Sequence, residues 1–373
     1  MVEIKYVDNK ADLKRFVNYP YQKYKNDPNW LAPLRIGEME KFQPEKYPFH
    51  EHADVKAYLA EENGQIVGRI AVIDDDLHNQ THHNNMLFFG FFEAENNDVA
   101  QKLYKVVEDE AVKLGRGRIR GPLNPSLNDG AGFQLDAFDT DPYIMMPQSP
   151  PEYIEYAQNA GYSKIMDLYS WRITAETGLS ERVAKLAERV AKRNDFSIRS
   201  LNMKNYDAEV ERVLNFYNEV WEDNWEQVKY TEAEARYLAK ELKMIVDPKM
   251  VIFLEIDNEL AGIAVGFPDI NQVFKKIPSG RLLPFGIFKL LLKKFYINKI
   301  RLPILGLSPK HRNKGLELVL INEFAKAALD RGYKEAECSW ILEDNDGINK
   351  SIKAAGAELY KTYRIFQKEL VTT

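Results

Sequence analysis

Apolar residues recur at two different spacings in the last third of this 373-residue chain. After Gly315 they fall three or four positions apart as far as Arg331, which predicts an α-helix with one face in the core. That face consists of Leu318, Ile321, Ala325 and Ala328. The next stretch alternates and is predicted to be a half-buried β-strand, with Ala336, Cys338, Trp340 and Leu342 on one face and Glu335, Glu337 and Ser339 on the other. We interpret Cys338 and Trp340 as core residues.

The chain contains an internal repeat in which Trp225 lies 195 residues after Trp30. The matching features are these two tryptophans, the hairpin patterns at 58–72 and 253–265, and Gly161 with Gly356. Several matches at nearly one spacing make chance a poor explanation. Because helices and strands alternate in each half, we predict an α/β fold of the α+β type, with helices covering a mixed sheet.

The repeat also sets the domain boundaries. We predict a first domain at residues 1–175, a connecting helix at 176–195 and a second domain at 196–373. The connector is expected to be helical because Ser180 to Ala191 is amphipathic. A chain of this length is long for a single hydrophobic core, which also favours two domains.

A strand, a basic turn and a helix follow one another between Leu305 and Leu316. The first N–H groups of a helix have no acceptor within the helix, and the helix dipole adds positive charge there. The turn adds three formal charges, on Lys310, Arg312 and Lys314. Gly315 would allow a ligand to approach the backbone closely. The turn is therefore predicted to bind a phosphate group.

The net charge of -5 hides an uneven distribution. No carboxylate occurs between Asp269 and Glu317, a window that holds eleven lysines and arginines. Such a block in an acidic protein indicates an anionic partner, although a solvated helix face gives the same pattern. Within it, Leu282 to Ile300 mixes Phe and Leu with lysines, as in a helix at a membrane surface; a helix lying over the ligand site is the simpler alternative. The window lacks the ordered aromatic and basic residues of a nucleic-acid module, so no nucleic-acid partner is predicted.

Composition and motifs argue against several other classes. The chain is 45% hydrophobic and 29% charged, which is typical of a soluble globular protein. It has no apolar run of about 18 residues and no signal-peptide pattern. A single cysteine fits the cytoplasm. The histidines at 50, 52, 78, 82 and 83 lack the ligand spacing of a zinc site, so no metal is predicted.

The basic turn Arg312-x-x-Gly315, the elements around it, and Asn345 eleven residues before Gly356 resemble the signature of the GNAT N-acetyltransferase superfamily. The whole chain resembles a bacterial tandem-GNAT group. The resemblance implies two tandem GNAT-like acyl-coenzyme A N-acyltransferase domains, with acetyl-coenzyme A or a longer acyl-coenzyme A as co-substrate.

In this superfamily the strand before the turn hydrogen-bonds the pantetheine arm and the turn holds the pyrophosphate. The resemblance thus implies a coenzyme site made of Leu305, Gly306, Leu307, Lys310, Arg312, Asn313, Lys314, Gly315, Leu316 and Asn345. Glu317 departs from the family pattern, which has a small residue there, and Ile352 stands where a tyrosine acid is often found. Tyr360 or Tyr363 is the candidate to replace that acid. Glu343 is the preferred candidate for the base that deprotonates the amine, although it could equally belong to a helix cap.

The first half departs further from this pattern. Where the basic turn should come, Glu93 to Asp98 carries three carboxylates, which would repel a pyrophosphate. We therefore expect one coenzyme site, in the second half. The polar insertion Gly121 to Gln148 is either part of an acceptor cleft or a surface or interface loop.

The leading hypothesis is a cytoplasmic N-acyltransferase that transfers an acetyl or longer acyl group to an amine. The acceptor is expected to be a small molecule or a lipid. One alternative is an enzyme in peripheral contact with a membrane that acts on an amino-lipid. Another is a non-catalytic module that kept coenzyme binding or only the fold.

Overall fold

The computed structural model describes residues 1–370, which fall into two units. The first unit comprises Met1–Leu168, Val273–Leu291 and the described residues from Lys361 onward. The second comprises Tyr169–Gln272 and Leu292–Tyr360. Each unit therefore contains chain segments from both halves of the sequence repeat.

The strands are β1 Glu3–Tyr6, β2 Ala53–Glu62, β3 Gln65–Asp75, β4 Met86–Ala94, β5 Arg118–Gly121, β6 Phe133–Gln134, β7 Ser163–Thr174, β8 Ser197–Ser200, β9 Val251–Ile256, β10 Glu259–Pro268, β11 Lys299–Leu307, β12 Glu335–Leu342 and β13 Glu358–Glu369. The helices are α1 Lys10–Lys23, α2 Arg35–Glu40, α3 Asp76–Thr81, α4 Asn97–Lys113, α5 Glu152–Asn159, α6 Glu181–Ala191, α7 Tyr206–Val220, α8 Glu232–Leu242, α9 Asn271–Phe274, α10 Gly286–Leu291, α11 Leu316–Asp330 and α12 Asp346–Ala355. No described helix is long and apolar enough to cross a membrane.

The first unit is built on a mixed sheet in the order β1-β2-β3-β4-β5-β13. β4 and β5 run parallel, whereas the other neighbours in this order run antiparallel. The side chain of Asn96 caps α4 by accepting a hydrogen bond from the Val99 N–H. Apolar residues then follow at helical spacing, and Leu103 and Val107 are fully buried against the sheet. The predicted mixed sheet covered by helices is confirmed for this unit.

The second unit repeats this plan with the order β8-β9-β10-β11-β12 and the Tyr169–Thr174 part of β7. β9 and β10 form the predicted hairpin, and β11 and β12 run parallel. The long predicted helix is α11, which packs on the sheet through Val319, Leu320 and Phe324. The two halves even share a glycine where a strand meets the long helix: a Cβ would crowd α4 at Gly68 and α11 at Gly262.

The two units depart from the predicted boundaries because of the last strand of the chain. β13 pairs antiparallel with β5, with Phe366 opposite Gly121, so the C-terminal residues complete the sheet of the first unit. The first unit also includes Val273–Leu291, where the Gly280 carbonyl accepts a hydrogen bond from the Arg35 N–H at 3.0 Å. The predicted connecting helix, α6, is an integral part of the second unit, since Ala187 is 1% exposed.

The prediction that β12 is half-buried is wrong for its central residues. Glu337 and Ser339, on the polar face, are each 1% exposed. Their burial is tolerated because they form hydrogen bonds with each other and with neighbouring polar groups, as buried polar side chains must. The sequence pattern distinguished the two faces of the strand correctly as far as Ser339. Beyond it the prediction of Trp340 as a core residue is wrong, since Ile341 lies in the core and Trp340 is only partly buried beside Arg301. The pattern also could not reveal that the polar face is covered.

Cys338 lies in the core of the second unit, among residues of α11 and α12. Burial, with a contribution from Glu337, raises the pKa of its thiol to about 12. The reactive thiolate should therefore be scarce at pH 8. We expect a chromogenic disulfide reagent to release less than a tenth of an equivalent of chromophore within minutes when it is mixed with the native protein. After unfolding in guanidinium it should release one equivalent. Rapid release from the native protein would contradict this placement.

Candidate active site

The parallel strands β11 and β12 separate part-way along their length. Their pairing runs from Lys299 opposite Glu335 to Leu302 opposite Cys338 and stops there. β11 nevertheless continues to Leu307, still paired with β10 on its other edge. The edge of β11 that faces β12 is therefore free of ladder hydrogen bonds over its last residues, and a cleft opens between the two strands. A ligand with amide groups can bond to such a strand edge.

The predicted phosphate turn closes the open end of this cleft. A short 3-10 turn at Pro309–His311 follows β11, and Gly315 is the N-cap residue of α11 with a φ of 77°. No described side chain caps α11, in contrast to α4 with Asn96 and α12 with Asn345. The Leu318 N–H donates to the Gly315 carbonyl at 3.1 Å. The N–H groups before it at the start of α11 have no side-chain acceptor, and an anion can supply one.

The three cations of the turn have different environments. Lys310 forms an ion pair with Glu259. Arg312 donates to two backbone carbonyls, those of Leu307 at 3.4 Å and Val220 at 3.0 Å. Arg312 thus ties the end of β11 to the end of α7, and its main local effect is to hold the shape of the turn. Lys314 and Asn313 are exposed, and Lys314 supplies the turn with an exposed positive charge.

Two buried polar atoms beside the turn lack a hydrogen-bond partner among the described residues: Ser308 Oγ and His311 Nδ1. Burial, with help from Lys314 and Lys310, lowers the pKa of His311, so its ring is neutral at pH 7. Leaving such atoms unbonded is costly, and a polar ligand would satisfy them. The uncapped helix, the free strand edge and these two atoms together fit the phosphates and amides of an acyl-coenzyme A.

An aromatic wall covers the end of β11. Tyr217 stacks on Trp221 with ring centroids 4.9 Å apart, and a Cβ at position 306 would collide with the Trp221 ring. Glycine is therefore required at Gly306. A polar cleft of about 460 Å³ lies beside Ser308 and Lys310, bounded by α7 and the β9–β10 hairpin. This cleft adjoins the predicted coenzyme turn.

Asn345 and Ile352 have structural roles. The Asn345 side chain accepts a hydrogen bond from the Ile348 N–H and so caps α12 at the mouth of the cleft. Ile352 is buried in the core and has no group that could donate a proton. Glu317 lies in the first turn of α11, where a carboxylate is favoured by the helix dipole.

The structure separates the two candidate tyrosines. Tyr363 pairs with Gln134 and is fully buried in the first unit. Tyr360 belongs to the second unit, as the coenzyme turn does, and it donates a hydrogen bond to the carboxylate of Glu337. Glu343, the predicted base, follows the last residue of β12 and is partly exposed.

Glu337 is the centre of a buried polar network that the sequence did not reveal. Ser339 Oγ donates to its carboxylate at 2.6 Å, and Arg301 donates to Ser339 Oγ at 2.9 Å and to the Ser339 carbonyl at 3.0 Å. Arg301 and Glu337 are opposite each other one pair before the strands separate. The network therefore lies at the closed end of the cleft. The sequence did contain one signal of this network, namely a basic residue and a carboxylate on neighbouring strands, Arg301 and Glu337.

The corresponding region of the first unit is filled. The Leu123 N–H donates to the Phe89 carbonyl at 2.8 Å, and the Phe91 N–H donates to the Asn124 side chain at 2.6 Å. The insertion after Gly121 thus bonds to the edge of β4 beyond its paired residues. Glu93 is also occupied, since Tyr24 and Tyr153 donate to it at 2.5 and 2.7 Å. These contacts support the expectation of a single coenzyme site.

Comparison with known proteins places the chain in a family. A ceramide synthase of Caulobacter vibrioides (strain NA1000 / CB15N) is 35% identical over 375 residues, which cover 98% of this chain and 96% of that one. The chain belongs to the bacterial ceramide synthase family. Protein YghO of Escherichia coli (strain K12) is 33% identical to this family member over 370 residues, 97% of the chain and 94% of YghO. No family model matches.

Solved structures with the same fold are GNAT proteins. A tandem GNAT protein from the clavulanic acid biosynthesis pathway has a TM-score of 0.60 at 11% identity, with full coverage of both chains. A GCN5-related N-acetyltransferase from Sphaerobacter thermophilus has a TM-score of 0.52 at 12% identity, covering 99% of this chain and 95% of its own. The predicted tandem-GNAT fold is confirmed, and with the family so is the predicted class of activity, N-acyl transfer.

Proposed function

We propose that this family member transfers a long acyl group from an acyl-coenzyme A to the primary amine of an amino-lipid. The observation that carries the proposal is the cleft between β11 and β12, which ends at an uncapped helix and has a free strand edge along one wall. The relative named ceramide synthase supports a long-chain amino alcohol as acceptor, since a ceramide is the amide of such a base.

The donor would be held by its phosphates and its amide groups. The turn from Lys310 to Leu316 would bind the pyrophosphate through the first N–H groups of α11, with Lys314 adding charge. The free edge of β11 at Leu305–Leu307 would bind the pantetheine arm. The donor supplies a thioester, and a backbone N–H of this edge can polarise its carbonyl as charge develops on the oxygen.

The amine must lose a proton when it attacks the thioester. Tyr360 is partly exposed and its hydroxyl already donates to the buried Glu337 carboxylate. As the N–C bond forms, the amine proton passes to the Tyr360 oxygen while the hydroxyl proton passes to Glu337. The C–S bond then breaks and the thiolate leaves, which needs no dedicated acid because an ordinary thiol has a pKa near 8.5. We propose Glu337 in place of Glu343 as the final proton acceptor.

Purified protein incubated with palmitoyl-coenzyme A and a sphingoid base should form the N-acyl product, detected by mass spectrometry, with release of one free thiol per amide. Two further reactions separate the preference for the donor from the preference for the acceptor. One pairs acetyl-coenzyme A with the same base, and the other pairs palmitoyl-coenzyme A with a small amine. Saturable binding of coenzyme A without product for any pairing would favour the non-catalytic alternative.

A stretch of exposed apolar residues supports action at a membrane. Leu282 to Phe295 holds six large apolar side chains that are 47% to 75% exposed: Leu283, Phe285, Phe288, Leu291, Leu292 and Phe295. Lys289, Lys293 and Lys294 lie among them. The segment just before the stretch is held in place, since Arg35 Nε donates to the Ser279 carbonyl at 2.7 Å. Exposed aromatic residues next to lysines suit an anionic bilayer, and we propose peripheral contact with the cytoplasmic face of a membrane.

Replacing Phe285 and Phe288 together by serine should reduce binding to vesicles that contain phosphatidylglycerol by about 100-fold, because two phenylalanines lose their burial in the bilayer. Sedimentation with such vesicles, and with vesicles of phosphatidylcholine alone, measures the effect. Val112→Ser is the control, since Val112 is equally exposed but lies on α4 outside the stretch. Equal sedimentation of the double variant and the unmodified protein would argue against membrane contact.

A further inference from the structure

An apolar cavity of about 70 Å³ lies in the second unit between the sheet and the helices α11 and α12. Strand residues Ile300, Leu302 and Cys338 form its floor, and Ile321, Phe324 and Ile352 form part of its walls. Its lining is almost entirely apolar, which distinguishes it from the polar cleft beside Lys310. An apolar cavity of this kind binds apolar groups.

The position of the cavity relates it directly to the donor cleft. Leu302 and Cys338 are the last paired residues before β11 and β12 separate, and both line the cavity. The cavity therefore begins where the cleft closes. The distance along β11 from Leu307 to Leu302 is about 16 Å at the usual rise of a strand.

The course of the helices α11 and α12 also leads from the cleft to the cavity. α11 and α12 both begin at the mouth of the cleft, with Gly315 and Asn345 as their N-caps. The cavity is lined by residues further along both helices, from Ile321 to Leu329 on α11 and from Ile352 to Ala355 on α12. A donor that enters with its phosphates at the N-terminus of α11 thus points its acyl end toward the cavity.

The far end of the cavity reaches the protein surface. Leu329, which is 52% exposed, and Lys334 belong to its lining. A chain longer than the enclosed volume can therefore continue along α11 toward Leu329. This arrangement also gives a role to an apolar side chain that is otherwise exposed to solvent.

We infer that this cavity binds the acyl chain of the donor thioester and sets the preference for chain length. The inference rests on the proposed function, because it takes the cleft between β11 and β12 as the donor site. Each methylene buried in an apolar site changes affinity by about fourfold, so even part of a chain gives strong discrimination between long and short donors.

Two alanines on α11 allow a matched test. Ala325 lines the cavity and Ala327 does not, while both are partly buried on the same helix. We expect Ala325→Leu to reduce the ratio of palmitoyl-coenzyme A to acetyl-coenzyme A affinity at least tenfold, because the added methyl groups occupy the chain path. Ala327→Leu should leave that ratio unchanged. Phe324→Leu, which enlarges the cavity, should shift the preference toward longer or branched chains.

Affinity is measured by calorimetric titration of acetyl-, octanoyl- and palmitoyl-coenzyme A and of coenzyme A itself, so the result does not depend on turnover. An unchanged affinity ratio in both Ala325→Leu and Phe324→Leu would overturn the inference. Failure of the proposed function has a different signature, namely no amide product from any donor even though long acyl donors bind more tightly than coenzyme A. If no acyl-coenzyme A binds, the inference and the donor site are both wrong.

Discussion

Replacing Tyr360 by phenylalanine should slow acyl transfer by about 10²- to 10⁴-fold, the usual contribution of a positioned acid–base group, and leave donor affinity unchanged. The reason is the hydrogen bond from the Tyr360 hydroxyl to Glu337, which provides the route for the amine proton. The aromatic ring remains, so the fold should tolerate the change. Single-turnover rates with palmitoyl-coenzyme A and a sphingoid base measure the chemical step. Calorimetric titration measures the affinity for the donor.

Three further variants separate the candidates for proton transfer. Glu337→Gln keeps a side chain of the same shape and should slow the reaction as much as Tyr360→Phe does. Combining the two should add little, because both belong to one proton path. Glu343→Gln and Tyr363→Phe should have small effects, since Glu343 lies beyond β12 and Tyr363 is in the core of the first unit. If Glu343→Gln slowed acyl transfer strongly and Glu337→Gln reacted at the normal rate, Glu343 would again be the preferred base.

Replacing Gly315 by valine should abolish the stabilisation that an acyl-coenzyme A gives the folded protein. At 100 times its dissociation constant a ligand stabilises by about 2.7 kcal/mol, which thermal denaturation detects readily. Gly315 has a φ of 77° and forms the N-cap of the helix that would bind the pyrophosphate. A side chain there also meets Val190 of α6, since a Cβ would lie 3.0 Å from Val190 Cγ2.

The matched control is Gly332→Val, at the other end of the same helix. Gly332 has a φ of 82°, and nothing lies within 4 Å of a Cβ placed there. Both variants should lose about 1–3 kcal/mol of stability from backbone strain. Only Gly315→Val should also lose the ligand-induced shift. A full shift in Gly315→Val would mean that the phosphates bind elsewhere.

The phosphate turn was predictable because its residues are contiguous in the chain. Strand, glycine, cations and helix follow one another, and the structure adds the missing helix cap and the separation of β11 from β12. The sequence could not show how Lys310 and Arg312 use their charge, because Glu259 and the Val220 carbonyl are distant in sequence. The cations of the turn therefore looked more available than they are.

Glu337 illustrates what a periodicity argument leaves out. Alternation identifies two faces of a strand but does not say what covers each face. The polar face of β12 is buried because Arg301 and Tyr360, from two other strands, supply its hydrogen-bond partners. Likewise the closure of the first unit by Asn124 depends on one side-chain contact, which no local pattern specifies.

The pairing of β13 with β5 has a consequence for synthesis of the protein. Arg120 bonds to Gln367 across 247 residues, so the first sheet lacks β13 until the chain has been synthesised beyond Glu369. Domains that form from one continuous segment can fold on the ribosome as they emerge, but this one has to wait until β13 has emerged. An N-terminal fragment ending near residue 175 should therefore expose an unpaired strand edge and aggregate, and the nascent chain would need protection by chaperones until β13 is available.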